Sequence, residues 1–185
     1  MIVSLRGLRG EKSSVSKVVE SGIEFDFSQA LEVKKHDRPV NEDGEGNLIW
    51  NGVDFRVRLP QEWLWIEVKH WDAAQIPAQH LEGQRDSFIE KMSSESFGLE
   101  MRSKFFGTSA FLAWSGGFQA SKVVFVLVFE PPKPLDKALL GTFWQQRIRS
   151  AFPSKNHPWT HQISSVVMDV EAWNLAYPEL PAKIV

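Results

Sequence analysis

The chain has 185 residues, a formal charge of −2, 43% hydrophobic and 24% charged residues, and no cysteine. That length suits a single domain spanning 1–185 with a substantial core, and the balance of residues is that of a folded globular protein. The absence of cysteine excludes disulfides and thiol chemistry and fits a reducing, cytoplasmic compartment, while no apolar run approaches a membrane span or a signal peptide, so no membrane partner is expected.

In chain order, Ser13 or Ser14 can cap a helix whose apolar stripe is Val15, Val18, Val19, Ile23, Phe27 and Ala30 or Leu31. The alternation from Ile23 to Phe27 also admits a short strand. Glu20 and Glu24 flank the stripe, where a solvated acid is the plainest reading. Leu31-Glu32-Val33-Lys34 continues naturally as helix, and its Glu-x-Lys is set aside as a site because the five residues between Asp26 and Glu32 are too few for two paired strands and a turn. The polar, glycine-bearing run 38–47 reads as an exposed loop. Leu48-Ile49-Trp50 can open a strand, with a turn or bulge at Asn51-Gly52.

Gly52 to His70 predicts a two-stranded hairpin. Phe55, Val57 and Leu59 fall on one face and Asp54, Arg56 and Arg58 on the other; Leu64, Ile66 and Val68 then oppose Trp63, Trp65, Glu67 and Lys69. A turn centred on Pro60-Gln61 pairs Phe55 with Ile66, Val57 with Leu64 and Val53 with Val68, which matches apolar to apolar throughout. The same register sets Asp54 opposite Glu67, with Cβ atoms about 4.5–5.5 Å apart. Two carboxylates held that close repel unless a cation lies between them, and oxygen donors of this kind suit Mg²⁺ or Mn²⁺. A surface hairpin with a Glu/Lys ion pair is the bland alternative.

Beyond the hairpin, a helix beginning near Pro77 carries the stripe Leu81, Phe88, Ile89 and Met92, with Gln84 a polar residue near that face. Residues 94–117 admit a helical turn over 99–106 or a strand over 110–114. Lys122 to Phe129, continuous and β-branched, predicts a buried central strand. Prolines end it, an amphipathic helix follows from Leu135 to near Arg149, and Ile163 to Val170 predicts a last strand before a segment bearing Trp173. His157 and His161 have the spacing of zinc ligands, but Pro158 opposes a helix there and no third ligand is evident. Of the eight tryptophans, Trp63 and Trp65 share the Glu67 face and could stack on bases, although filling core is the commoner role.

Asp54, twelve intervening residues and then Glu67-Val68-Lys69 resembles the PD-(D/E)XK nuclease superfamily, which includes restriction endonucleases, Holliday-junction resolvases and RecB-like exonuclease domains. The motif is short and degenerate, and Val53 stands where the family name has proline. The element order from Ser13 to Glu130 is similar as well. The resemblance implies an α/β fold with a restriction-endonuclease-like core, a mixed central sheet flanked by helices in the order α-β-β-β-α-β, followed here by a further helix and strand. It implies a metal-dependent deoxyribonuclease in which Asp54, Glu67 and the Val68 carbonyl bind Mg²⁺ or Mn²⁺ and Lys69 orients the attacking water. It further implies that Glu20 or Glu24 adds an acid and that Gln84 shapes the site, as a helix glutamine does in RecB-like enzymes.

DNA is then the expected partner, with RNA left open. A homodimer would serve cleavage of both strands, and specificity would come from loops or a protein partner. The charge of −2 counts mildly against a polyanionic substrate, though Arg56, Arg58, Lys69, Arg102, Lys104, Lys122, Arg147 and Arg149 can form a local basic rim. The alternative is a catalytically silent nuclease-fold protein that binds nucleic acid or another protein.

Overall fold

The computed structural model describes residues 17–35, 51–114, 122–132, 146 and 163–185. The predicted strand at 48–50, the helix over 135–149 and the His157/His161 pair lie outside the described residues.

The first described element is a strand, not a helix. β1 (Lys17–Glu20) and β2 (Ile23–Asp26) form an antiparallel hairpin in which Glu20 pairs with Ile23. Ser21 and Gly22 connect them with φ of 49° and 74°, the positive values that a two-residue hairpin turn requires at both central positions. Space also demands glycine at 22, since a Cβ there would lie 2.9 Å from His70 Nδ1. The helical stripe expected here gives way to alternation of period two, because Ile23, Phe25 and Phe27 all enter the core. β3 (Glu32–Lys35) then starts the main sheet, so the second Glu-x-Lys is also on a strand rather than a helix. Its five-residue separation from Asp26 is no obstacle, because β2 and β3 belong to different sheets.

The main sheet has the order β3-β4-β5-β6-β7, where β4 is Phe55–Arg58, β5 Trp63–His70, β6 Val123–Glu130 and β7 Ile163–Met168. β3, β4 and β5 run antiparallel in turn, and β6 and β7 are parallel to β5. The expected register is observed, with Phe55 opposite Ile66 and Val57 opposite Leu64. Pro60 and Gln61 fill a tight turn closed by the bond from Leu59 N to the Glu62 carbonyl at 2.8 Å.

Val53 departs from expectation. β4 begins only at Phe55, and a bend at Asp54 turns Val53 to the opposite side of the sheet from Val68, with its amide bonded to Thr108 Oγ1 at 3.0 Å.

Each face of the sheet is covered. One meets the small sheet β1-β2-β8, where β8 is Ala182–Ile184, and the helix α3 (Val170–Ala176). Phe25, Phe27, Phe55 and Trp173 meet there at ring separations of 5.4 to 6.1 Å; burying a side chain of this kind contributes about 1.5–3 kcal/mol. The other face lies under α1 (Leu81–Ser93) and α2 (Glu95–Trp114). Residues 110–114 thus end a single long helix and form no strand.

The segment after β5 passes through two short 3₁₀ turns, with Pro77 before the second, and α1 starts at Leu81, later than expected. β7 stops at Met168 because Asp169 caps α3, its carboxylate accepting from the Ala172 amide at 2.8 Å. The architecture is therefore α/β with a mixed sheet, but no helix precedes the hairpin strands among the described residues.

Candidate functional site

Asp54 and Glu67 come together where β4 starts and β5 nears its end. Both are buried, Asp54 to 4% exposure and Glu67 to none, so neither carboxylate has bulk water to stabilise its charge. The bend that swings Val53 away turns the Asp54 carboxylate inward, and Oδ2 accepts the Val68 amide at 2.7 Å. Glu67 lies on the face of β5 that α2 covers. Its Oε1 is 2.9 Å from Lys69 Nζ and 2.9 Å from Lys104 Nζ. Its Oε2, also buried, has no hydrogen-bond partner among the described residues.

Lys104 completes the cluster and was not foreseen as part of it. Its ammonium lies 3.8 Å from Asp54 Oδ1 as well as beside Glu67, placing one positive charge between the two carboxylates. The sequence does carry a signal for it. Phe97, Met101, Phe105, Thr108 and Leu112 are the buried stripe of α2, and Lys104 falls within that stripe. Glu100, one turn earlier, reaches Lys69 at 3.2 Å and Lys91 at 3.8 Å, so charges alternate from Asp54 out to the surface.

Close approach of α2 makes these contacts feasible. At Gly107 a Cβ would overlap the Asn51 carbonyl oxygen, so only glycine lets the helix pack against the segment that leads into Asp54.

The electrostatics follow from burial. Desolvation, then the neighbouring Glu67 charge, pushes the Asp54 pKa up to about 7 against the pull of Lys104 and the Val68 amide, and Glu20 adds a smaller push. Desolvation likewise raises Glu67, opposed by Lys69 and Lys104. Burial works against both lysines, but Glu67 chiefly outweighs it and holds each above the ordinary lysine value. Lys69 is therefore a charged donor and not a base near neutral pH.

Among the weaker candidates, Glu20 ends β1, pairs with Lys35 at 2.7 Å and is near enough for its charge to act on Asp54. Glu24 is instead held by Lys17 at 3.4 Å and Lys183 at 3.2 Å on the small sheet. Gln84 is exposed on α1. Val68 joins through its amide, while its side chain is in the core on the far face.

Of the expected basic rim, Lys122 pairs with Glu62 at 2.6 Å, Arg56 is buried with its guanidinium 5.7 Å from the Phe111 ring, and Arg147 and Arg149 are outside the described residues. Trp65 is fully buried 5.1 Å from Phe105 and is closed to any base.

Whether this set suits a divalent cation turns on its donors. Among the described residues no three His, Cys, Asp or Glu side chains cluster as a metal cage. Mg²⁺, however, is commonly held by one or two carboxylates together with waters and substrate phosphates. Two converging carboxylates and the orphaned Glu67 Oε2 fit that pattern, with Lys104 as the competing cation. No family model, no curated protein and no solved structure matches the chain.

Proposed function

We propose that the chain is a metal-dependent nuclease that hydrolyses phosphodiester bonds in DNA, built on a restriction-endonuclease-like core. The observation that carries this reading is the buried convergence of Asp54 and Glu67 with the Lys69 ammonium at one end of the inner strands β4 and β5. The unit of three antiparallel strands, helices and a parallel strand supports it. Asp54, Glu67 and the Val68 carbonyl would hold Mg²⁺ or Mn²⁺. Bound there, the ion would supply Lewis-acid polarisation of the phosphate and a more acidic water.

The chain's own residues account for the rest. Lys69, protonated and anchored by Glu67 and Glu100, donates to the attacking water or to a phosphate oxygen and stabilises charge developing there. Lys104 is placed to give its positive charge to the same phosphate when it leaves the carboxylates. Both are aided by a site from which the sheet and α2 exclude water. Glu20 is the better placed of the two candidate outer acids.

The test is cleavage of labelled single-stranded, duplex, flap and four-way-junction DNA with Mg²⁺, Mn²⁺ or EDTA, for wild type beside Lys69→Ala. Metal-dependent cutting that the variant loses supports the reading; folded Lys69→Ala of full activity overturns it.

A second reading is favoured by one observation, the Lys104 ammonium between the carboxylates. It is a silent nuclease-fold scaffold in which a lysine replaces the ion and the surface binds nucleic acid or a protein. Calorimetric titration with Mg²⁺ separates the two. Heat that Glu67→Gln abolishes favours the enzyme, and no heat with wild type favours the scaffold.

A further inference from the structure

One residue past Lys69, the chain opens a second feature that the cluster does not use. A cavity of about 620 Å³ lies where the parallel strands β5 and β6 end, its lining including His70, Trp71, Arg85, Glu130 and Pro131. His70 and Glu130 are register partners at those strand ends, and the crevice beyond the carboxyl ends of parallel strands is where open α/β sheets receive ligands. Its volume falls in the range of sites for small molecules, too small for a duplex.

The lining states what chemistry would be recognised. Arg85 Nε is buried without a hydrogen-bond partner, and Arg85 makes no ion pair among the described residues. A guanidinium in that condition calls for an anion with oxygen acceptors, phosphate above all. Trp71 offers a half-buried indole, steadied by Phe88 at 5.4 Å and by its own amide bonded to the Glu130 carbonyl at 2.9 Å. The lining carries two acids, Glu82 and Glu130. Glu130 is committed to capping α3 through the Val170 amide at 2.8 Å, and Glu82 is exposed in the first turn of α1, where water screens its charge, and makes no ion pair with Arg85 among the described residues. His70 donates from Nδ1 to the Ser21 carbonyl at 2.8 Å, which fixes the ring at the mouth of the cavity.

We propose that this cavity binds one nucleotide of the DNA strand beside the bond to be cut, a phosphate on the Arg85 guanidinium and the base against the Trp71 indole. The identity of the ligand rests on the nuclease reading; the cavity and its unpaired arginine do not. The strand direction of β5 puts Lys69 and Trp71 two residues, roughly 7 Å, apart, so the cavity opens beside the Lys69 end of the cluster, and its size admits a single nucleotide and not a double helix. The cavity would thereby favour an unpaired strand over a closed duplex.

The experiment is fluorescence anisotropy of a labelled single-stranded DNA in EDTA, with wild type, Arg85→Gln, Trp71→Leu and, as a control, Lys17→Gln, whose exposed ammonium pairs with Glu24 on the small sheet outside the cavity lining. Circular dichroism checks that each is folded. Arg85→Gln is expected to weaken binding about tenfold, the loss typical of a hydrogen-bonded charge, and Lys17→Gln to leave it within about twofold. Trp71→Leu, if folded, should weaken it as well. Equal losses in Arg85→Gln and Lys17→Gln, no loss in Arg85→Gln, or no binding by wild type each overturn the proposal. Because uncut DNA is read without metal, the outcomes stay separate: Arg85-dependent binding by a protein that cuts nothing keeps the cavity and removes the nuclease, and cutting without Arg85 dependence does the reverse.

Discussion

Glu67 Oε1 and Lys104 Nζ are 2.9 Å apart in a space shut from water by α2, although 37 positions separate them in the chain. Lys104→Met leaves a buried carboxylate with Lys69 alone to balance it. Urea unfolding should show a loss of about 3 kcal/mol, the range for breaking a buried pair from one side. Glu67→Gln in the same background should return most of it; a double variant as unstable as the single one would show that packing, not charge, sets the cost.

Lys69→Ala removes a side chain that is partly solvent-exposed, so the fold should survive. Under the nuclease reading, turnover should fall on the order of 10²–10³-fold, the loss typical of one charge-stabilising donor. Lys69→Arg, which keeps charge but not shape, should restore only part. Unchanged cleavage in gel assays would remove Lys69 from the mechanism.

Asp54 makes stability depend on pH in an unusual direction. Its pKa is about 7 in the folded protein and about 4 when unfolded. The folded state therefore binds the proton more tightly. This group's stabilisation is full below pH 4 and is lost as pH rises toward and through 7. Asp54→Asn removes the titration while keeping an oxygen for the Val68 amide. It should flatten the pH dependence of unfolding between pH 4 and 8 and stabilise the protein at pH 8 by about 1–3 kcal/mol. An unchanged slope would mean that the carboxylate is charged throughout.

Two glycines of α2 should respond oppositely to alanine. At Gly107 the new methyl meets the backbone of Asn51, while at Gly98 nothing lies within 4 Å. Gly107→Ala should cost about 1–3 kcal/mol and loosen the segment carrying Asp54. Gly98→Ala should gain about 0.5–1 kcal/mol from helix propensity. Thermal melts of the pair decide it, and equal effects would contradict the close packing at 107.

The readable parts of the chain were those where a local rule and the tertiary fold agree. Phe55 opposite Ile66 followed from a two-residue turn and strict alternation, whereas Asp54 lies just outside that ladder and is held to β5 by the bond from the Val68 amide. Val123–Glu130 was legible because a strand buried on both faces needs no polar residue along its length. The β1–β2 hairpin was not, since Val18, Val19 and Ile23 also satisfy helical spacing and the decisive turn, Ser21-Gly22, is only two residues long. In the sequence Lys104 belongs only to a basic rim, because its segment admits a helical turn over 99–106 or a strand over 110–114 and does not read as one helix. With α2 taken as one helix, a lysine among Met101, Phe105 and Thr108 stands out. Val53 changed sides because Asp54 bends for its bond to Val68, a demand that no pattern of hydrophobicity encodes.

The pairing of β2 with β8 has a consequence for synthesis. Ile23 and Phe25 leave the ribosome more than 150 residues before their sheet partners Ile184 and Ala182. The same late stretch accepts the Trp173 indole hydrogen at the Leu180 carbonyl. Until then one edge of β2 is unpaired and the aromatic cluster lacks Trp173. Such long-range closure is slow and leaves apolar strand surface open to association. Between the synthesis of β2 and that of β8 the nascent chain should therefore be a chaperone client, with release timed to the arrival of Ala182 to Ile184.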